Sequence, residues 1–246
     1  MTRAAEVKVA LAALPVQSFD EIIGPGALLV LAPHPDDESL GCGGLIAEAL
    51  ARGRAVYVAI LTDGSGSHPG SLTFLPPRLA ALRAQEVRDA TARLGLPPDN
   101  LQLLGATDGS APTDGPEFAA LAQRLAEFVQ ARDIATICAT WRHDPHCDHF
   151  AAALLAANVC RFTGARHLSY PVWSWTLPDD SELPGLPQGA RLDIAPHLPA
   201  KRRAIAAHAS QLTGLIADAS DAFRLAPSFL ALFDRSWEVF IREPSE

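Results

Sequence analysis

Four short, nearly uninterrupted apolar runs, at residues 27–32, 55–61, 101–104 and 134–140, alternate with longer stretches whose apolar residues recur every three to four positions. A strand that shows no polar face is covered on both sides, and a sheet covered on both sides is built from parallel strands joined by crossover helices. The helical stretches fall at 39–52, 78–94, 117–132 and 149–162, the second stopping at Gly95, a common helix terminator. This alternation predicts an α/β chain: a Rossmann-like three-layer fold with a mostly parallel sheet.

The last third changes character. Residues 168–175 read as a strand, 178–189 are rich in proline, glycine and acids, and 190–194 read as another strand. A helix from 199 to about 212 and a closing strand at 237–241 follow, so the chain is expected to end in an irregular C-terminal extension. No internal repeat and no composition shift marks a boundary, and residues 1–246 read as a single domain.

Composition excludes several classes of partner. With 28 acids against 20 bases, a net charge of -8 and no run of Lys or Arg, the chain lacks the basic surface that a phosphate backbone requires, so nucleic acid is not expected. No stretch of about 18 apolar residues escapes a charge or proline, so no transmembrane segment is expected. The first 19 residues, broken by Pro15, read as a strand or short helix of the fold rather than a leader. Cys42, Cys138, Cys147 and Cys160 form no CxxC pair, which fits a reducing, cytoplasmic setting.

Two motifs carry chemistry. Pro33-His34-Pro35-Asp36-Asp37-Glu38 directly follows the first buried run, and His143-Asp144-Pro145-His146-Cys147-Asp148-His149 directly follows the fourth. In an open α/β sheet, ligands bind outside the carboxyl ends of the strands, where both motifs lie. A histidine with two adjacent carboxylates suits a borderline divalent metal, one Asp binding the ion and the other facing its water. The competing reading is that Asp36 or Asp37 only caps the next helix. His146 and His149, three apart at a helix start, share a face and supply what the first motif lacks.

These motifs, together with Gly41-Cys42-Gly43-Gly44 at the following helix, resemble the LmbE/PIG-L family of zinc-dependent N-acetylglucosaminyl deacetylases. The likeness extends to Leu61-Thr62-Asp63-Gly64, to Arg83 through Glu86, and to His208 through Gln211. It implies that His34, Asp37 and His149 bind one zinc per chain, with iron(II) or cobalt(II) accommodated by the same donors. It also implies that Asp36 is the general base, that a protonated His146 is the second catalytic group, and that Asp148 orients His146. The implied reaction is hydrolysis by metal-activated water, taking an N-acetyl or other N-acyl group from an amino sugar or glycosylated metabolite. Cys147 departs from the family, which commonly has proline there.

The weaker features are read as follows. The Gly41–Gly44 run fails the GxGxxG spacing and fits close helix packing instead. Loop 62–68 borders the same crevice, and His68 is not read as a ligand. Trp141, Trp173 and Trp175 lie near strand ends and could face a sugar, while Arg83, Arg142 and Asp108 could bind hydroxyls or an anionic group. Two rival functions remain at this level: a metal-dependent phosphoesterase, and a sugar-binding protein without turnover. A binder has no use for a spare carboxylate beside the metal, which makes Asp36 the discriminating residue.

Overall fold

The computed structural model describes residues 1–219 and 221–243. In chain order the elements are β1 (Thr2–Arg3), α1 (Ala4–Ala13), β2 (Val16–Gln17), α2 (Phe19–Ile23), β3 (Ala27–Ala32), α3 (Asp37–Ala51) and β4 (Val56–Thr62). Next come α4 (Pro76–Arg93), β5 (Leu101–Ala106), α5 (Gly115–Ala131), β6 (Ile134–Thr140), α6 (Cys147–Thr163) and β7 (Arg166–Tyr170). The last segment holds β8 (Glu182–Leu183), β9 (Gly189–Asp193), α7 (Leu198–Ile205), α8 (Ala209–Leu212), α9 (Pro227–Leu230) and β10 (Trp237–Arg242).

The central sheet runs β2-β9-β10-β7-β6-β3-β4-β5. All its pairings are parallel except those of β10, which is antiparallel to both β7 and β9. Every residue of β3 is buried, whereas β5, at the edge, has no buried residue. This contrast explains why β3 shows an apolar run: it is covered above and below. One face packs on α2, α3, α4 and α7, the other on α5 and α6, with α1 covering the β10 side through Val7, Leu11, Trp141 and Val239. The three-layer α/β architecture with a mostly parallel sheet is therefore as expected.

The chain leaves β3 toward β4 and β5, then returns to the other side of β3 as β6 and β7. β3 and β6 are adjacent strands whose following helices depart to opposite faces, which opens a crevice at their carboxyl ends. Both sequence motifs emerge at this switch point.

Three local departures have physical causes. The strand expected at 168–175 ends at Tyr170, because Pro171 follows and the amides of 172–174 turn toward Asp144. The helix expected from 199 to 212 is two helices, broken at His208 (φ -80°, ψ 58°), whose imidazole turns inward to Glu38. The extension after 189 is not peripheral: β9 and β10 complete the sheet, and the buried Lys201–Glu238 pair at 2.7 Å ties α7 to β10. Among the described residues, no helix is long and apolar enough to cross a membrane.

Candidate active site

Asp36 is the residue before α3, yet its side chain makes no cap hydrogen bond, and its φ of 152° is a backbone conformation that non-glycine residues rarely adopt. The helix-capping explanation of the acidic pair fails for Asp36. Its amide instead donates to Glu38 Oε2 at 2.9 Å, and Glu38 Oε1 faces His208 Nε2 at 3.2 Å. The strained turn points the Asp36 carboxylate at Arg83, whose Nη2 donates to Oδ2 at 3.0 Å while also holding the Pro35 carbonyl at 2.8 Å.

The donors expected for a metal converge on one oxygen. Asp37 Oδ2 lies 3.1 Å from His34 Nδ1 and 3.3 Å from His149 Nε2. Tetrahedral donors about 2.0–2.1 Å from a zinc ion would be separated by roughly 3.3 Å. The hydrogen bonds on the far side of each ring select the tautomer that such an ion needs. His149 Nδ1 faces Asp144 Oδ2 at 2.9 Å, and His34 Nε2 faces Asp148 Oδ2 at 3.1 Å and Asp108 Oδ1 at 3.2 Å. With those nitrogens protonated, His34 Nδ1 and His149 Nε2 are the ring atoms left to face the Asp37 carboxylate, where a bound cation would take the place of the protons that now join them. His149 Nε2 is buried without a hydrogen-bond partner, as a reserved ligand atom would be. His34, His146 and His149 offer ligand atoms within 4.8 Å of one another, and Asp37 adds an oxygen within 3.3 Å of two of these rings, so the residues present fit a divalent metal.

The electrostatics agree. Burial opposes ionisation of Asp37, but His149 and His34 outweigh it and hold that carboxyl well below the usual range. His149 is also disfavoured as a cation by burial, yet Asp37 and Asp144 raise it to about 9. Asp36 is pushed up to about 6, by burial first and by neighbouring Asp37 next, with Arg83 opposing. Two adjacent carboxylates thus separate into a strongly acidic one facing both imidazoles and a more basic one free of them.

His146 is the residue before α6, and its Nδ1 accepts the Asp148 amide hydrogen at 3.2 Å. The proton therefore sits on Nε2. Burial, then His34 and His149, lower its pKa below the ordinary histidine value. Its centroid is 4.6 Å from that of His34 and 5.2 Å from that of His149.

Asp148 does not orient His146 through its carboxylate. That group faces His34 and accepts the amides of Gly109 at 2.7 Å and Ala111 at 3.0 Å, which hold it strongly acidic against burial. Only the Asp148 amide touches His146. Cys147 is exposed, its Sγ 3.6 Å from the Gly109 carbonyl.

Four residues join the site that motif reading left without these roles. Asp144 grips His149 and also accepts the amides of Val172, Trp173 and Ser174. Asp108 reaches His34, Arg83 reaches Asp36, and His208 braces Glu38. Asp144 was within reach of sequence reasoning, lying five residues before His149 in the same motif. Asp108, Arg83 and His208 come from three other loops and helices, and only the fold assembles them. The Gly41–Gly44 run serves packing: a methyl on Gly41 would strike the Tyr170 ring, and one on Gly44 the Ile194 side chain.

Comparison with known proteins follows the same lines. Residues 29–160, which contain both motifs, match the family described as PIG-L, GlcNAc-PI de-N-acetylase. The 1D-myo-inositol 2-acetamido-2-deoxy-alpha-D-glucopyranoside deacetylase of Rhodococcus opacus (strain B4) is 30% identical over 241 residues, covering 76% of this chain and 82% of that protein. The N,N'-diacetylchitobiose deacetylase of Pyrococcus horikoshii shares the fold with a TM-score of 0.65 at 21% identity, over 89% of this chain and 84% of that one. The 4-carboxy-2-hydroxymuconate hydratase GalB of Pseudomonas putida KT2440 also shares it, with a TM-score of 0.59 at 20% identity, over 76% and 80% of the two chains. A hydratase on this fold means that the architecture alone does not dictate the reaction.

Proposed function

The chain belongs to the PIG-L family of GlcNAc-PI de-N-acetylases, and from that premise we propose that it is a metal-dependent hydrolase removing an N-acyl group, acetyl first, from an amino sugar or glycosylated metabolite. The observation that carries this reading is the division of labour between Asp36 and Asp37. Asp37 meets two imidazole nitrogens within 3.3 Å, while its neighbour, released from helix capping, stands beside them with a raised pKa. Neither a sugar-binding protein without turnover nor a helix cap accounts for that second carboxylate.

We assign His34 Nδ1, Asp37 Oδ2 and His149 Nε2 as the metal donors, and zinc, one per chain, as the ion. When bound, it supplies Lewis acidity toward the acyl carbonyl and lowers the pKa of water. Asp36 is the general base: a carboxylate near pKa 6 is ionised at neutral pH, yet accepts a proton more readily than an ordinary Asp. Arg83 fixes its direction. His146 donates a hydrogen bond from Nε2 to the acyl oxygen as negative charge develops there, and the proton that Asp36 takes from water is returned to the departing amine. Asp144 and Asp148 hold His149 and His34 in the tautomers that leave the donor nitrogens free. No basic phosphate clamp lies among these residues, which weighs against a phosphoesterase. We further propose that residues 1–246 form one such domain and that the protein works in the cytoplasm, where its four free cysteines stay reduced.

The relatives define the assay panel: the N-acetylglucosaminyl-inositol named for the Rhodococcus opacus enzyme and the diacetylchitobiose named for the archaeal one. Amine release is measured on protein of known metal content, before chelation, after it, and after zinc is returned. Release that stops on chelation and returns with zinc supports the proposal. Protein that takes up no metal under any loading condition would overturn it.

A further inference from the structure

The outer side of α6 carries chemistry that the catalytic site does not use. A cleft of about 580 Å³ is lined by Arg142, Arg161, Arg166, His167 and Glu243, over an apolar floor that includes Leu154 and Ala157. That volume is typical of a small-molecule site. The lining extends from Arg142, just beyond β6, to Arg166, the first residue of β7. It therefore reaches the end of the sheet opposite the catalytic loops.

The charge of this cleft runs against that of the molecule. The chain has eight more acids than bases, yet among the described residues three guanidiniums and a single carboxylate line the cleft. Among the described residues, arginine ion pairs are made by Arg52, Arg83 and Arg202, so the three cleft arginines have no bonded carboxylate. Arg166 is aimed by a 2.9 Å bond from Nη1 to the Ile22 carbonyl, and Arg161 lies over the Phe162 ring. Two polar atoms of the lining, His167 Nε2 and Glu243 Oε1, are buried without hydrogen-bond partners among the described residues. Burial depresses the His167 pKa to about 4, leaving a neutral imidazole. Buried polar atoms are normally satisfied, and a cleft that leaves two of them unsatisfied beside unpaired cations has the composition of a binding site.

We propose that this cleft is an accessory site for a small organic anion, a phosphate or carboxylate on a compact apolar body, with Arg161 and Arg166, at the end away from Arg142, holding the charge. The apolar floor takes the body, and the neutral imidazole and Glu243 take hydrogen bonds from polar groups on it. The site is independent of the catalytic metal.

Calorimetric titration of the zinc-loaded protein with phenyl phosphate, and separately with benzoate, tests this. Saturable binding at one site per chain is expected for at least one of the two, and which one binds identifies the anionic group. Arg161→Glu should weaken it at least tenfold, while Arg88→Glu, an exposed arginine on α4, should leave it unchanged. A phosphate ester can also seek the metal, so the titration is repeated on Asp37→Ala protein, where binding should persist. Absence of saturable binding by both probes, an equal loss in Arg88→Glu, or loss in Asp37→Ala would each overturn the proposal.

Discussion

The two strand-end motifs use the same residue types in opposite ways. After β3, the carboxylate of Asp37 faces the imidazoles' free nitrogens and Asp36 stands apart, on a backbone turn with φ 152°. After β6, the carboxylates of Asp144 and Asp148 face the other nitrogen of a ring, one holding His149 and the other holding His34 across the crevice. In the proposed mechanism the first motif presents acid to the reaction, while the second uses its acids to aim histidines. A carboxylate's role here depends on which side of an imidazole it occupies, and motif composition does not reveal that.

The comparison breaks most readily at Asp37. Asp37→Ala is expected to abolish stoichiometric zinc binding and bring hydrolysis to background, read by metal analysis alongside amine release. A variant that still holds one zinc tightly would remove Asp37 from the ligand set. Asp36→Asn should keep the metal and lose activity by roughly 10²–10⁴-fold, the usual contribution of a general base; metal loss in this variant would mean that the two adjacent acids exchange roles.

For the second motif, Asp144→Asn and Asp148→Asn are each expected to weaken zinc affinity by about 10–100-fold, the range found for groups that orient metal-binding histidines. Chelator competition measures it, and unchanged affinity in both would reduce their role to loop structure. The same assay carries a pH dependence. His149 sits near pKa 9 before an ion binds, raised by Asp37 and Asp144, so the ion must displace its proton at neutral pH. Affinity should therefore fall about tenfold for each unit of pH lost below 9, more steeply where His34, also raised, titrates as well. For stability without metal, the sign is the reverse. A raised histidine pKa stabilises the fold fully below the ordinary value near 6.5, and that contribution is lost as pH rises through 9.

The smallest effect is expected at Cys147. It is the first residue of α6, where proline's fixed φ is tolerated, and His146 before it is extended (φ -143°, ψ 133°), as a residue before proline should be. Cys147→Pro should leave kcat/KM within about threefold and stabilise the protein by about 0.4–1 kcal/mol, visible as a small rise in Tm. A large loss of activity would give the thiol a role that its 3.6 Å contact with Gly109 does not suggest.

Much of the candidate site was legible because its residues are local. His34, Asp36 and Asp37 lie within four residues and His146 and His149 within four more, each group following an apolar run that marks a buried strand. Arg83 and His208 carried the family likeness and Arg83 and Asp108 were read as possible hydroxyl or anion binders, but their partners were not legible, since a single arginine on an amphipathic helix looks the same whether it faces water or Asp36. The broken helix at His208 misled for the same reason: periodicity carries the apolar face of 198–212 but not the Glu38 partner, 170 residues away, that pulls the imidazole inward.

The sequence by itself determined the layered α/β architecture, the parallel core and the two loops that hold the reacting groups, because those follow from short-range periodicity and from where strands end. Only the tertiary structure decided which carboxylate faces two imidazoles, which one holds a ring from its far side, that Asp148 faces His34 rather than its neighbour His146, and that three unpaired arginines line one cleft. Each of these depends on distances of about 3 Å between residues far apart in the chain, set by strand order and helix placement, which no local pattern of residues encodes.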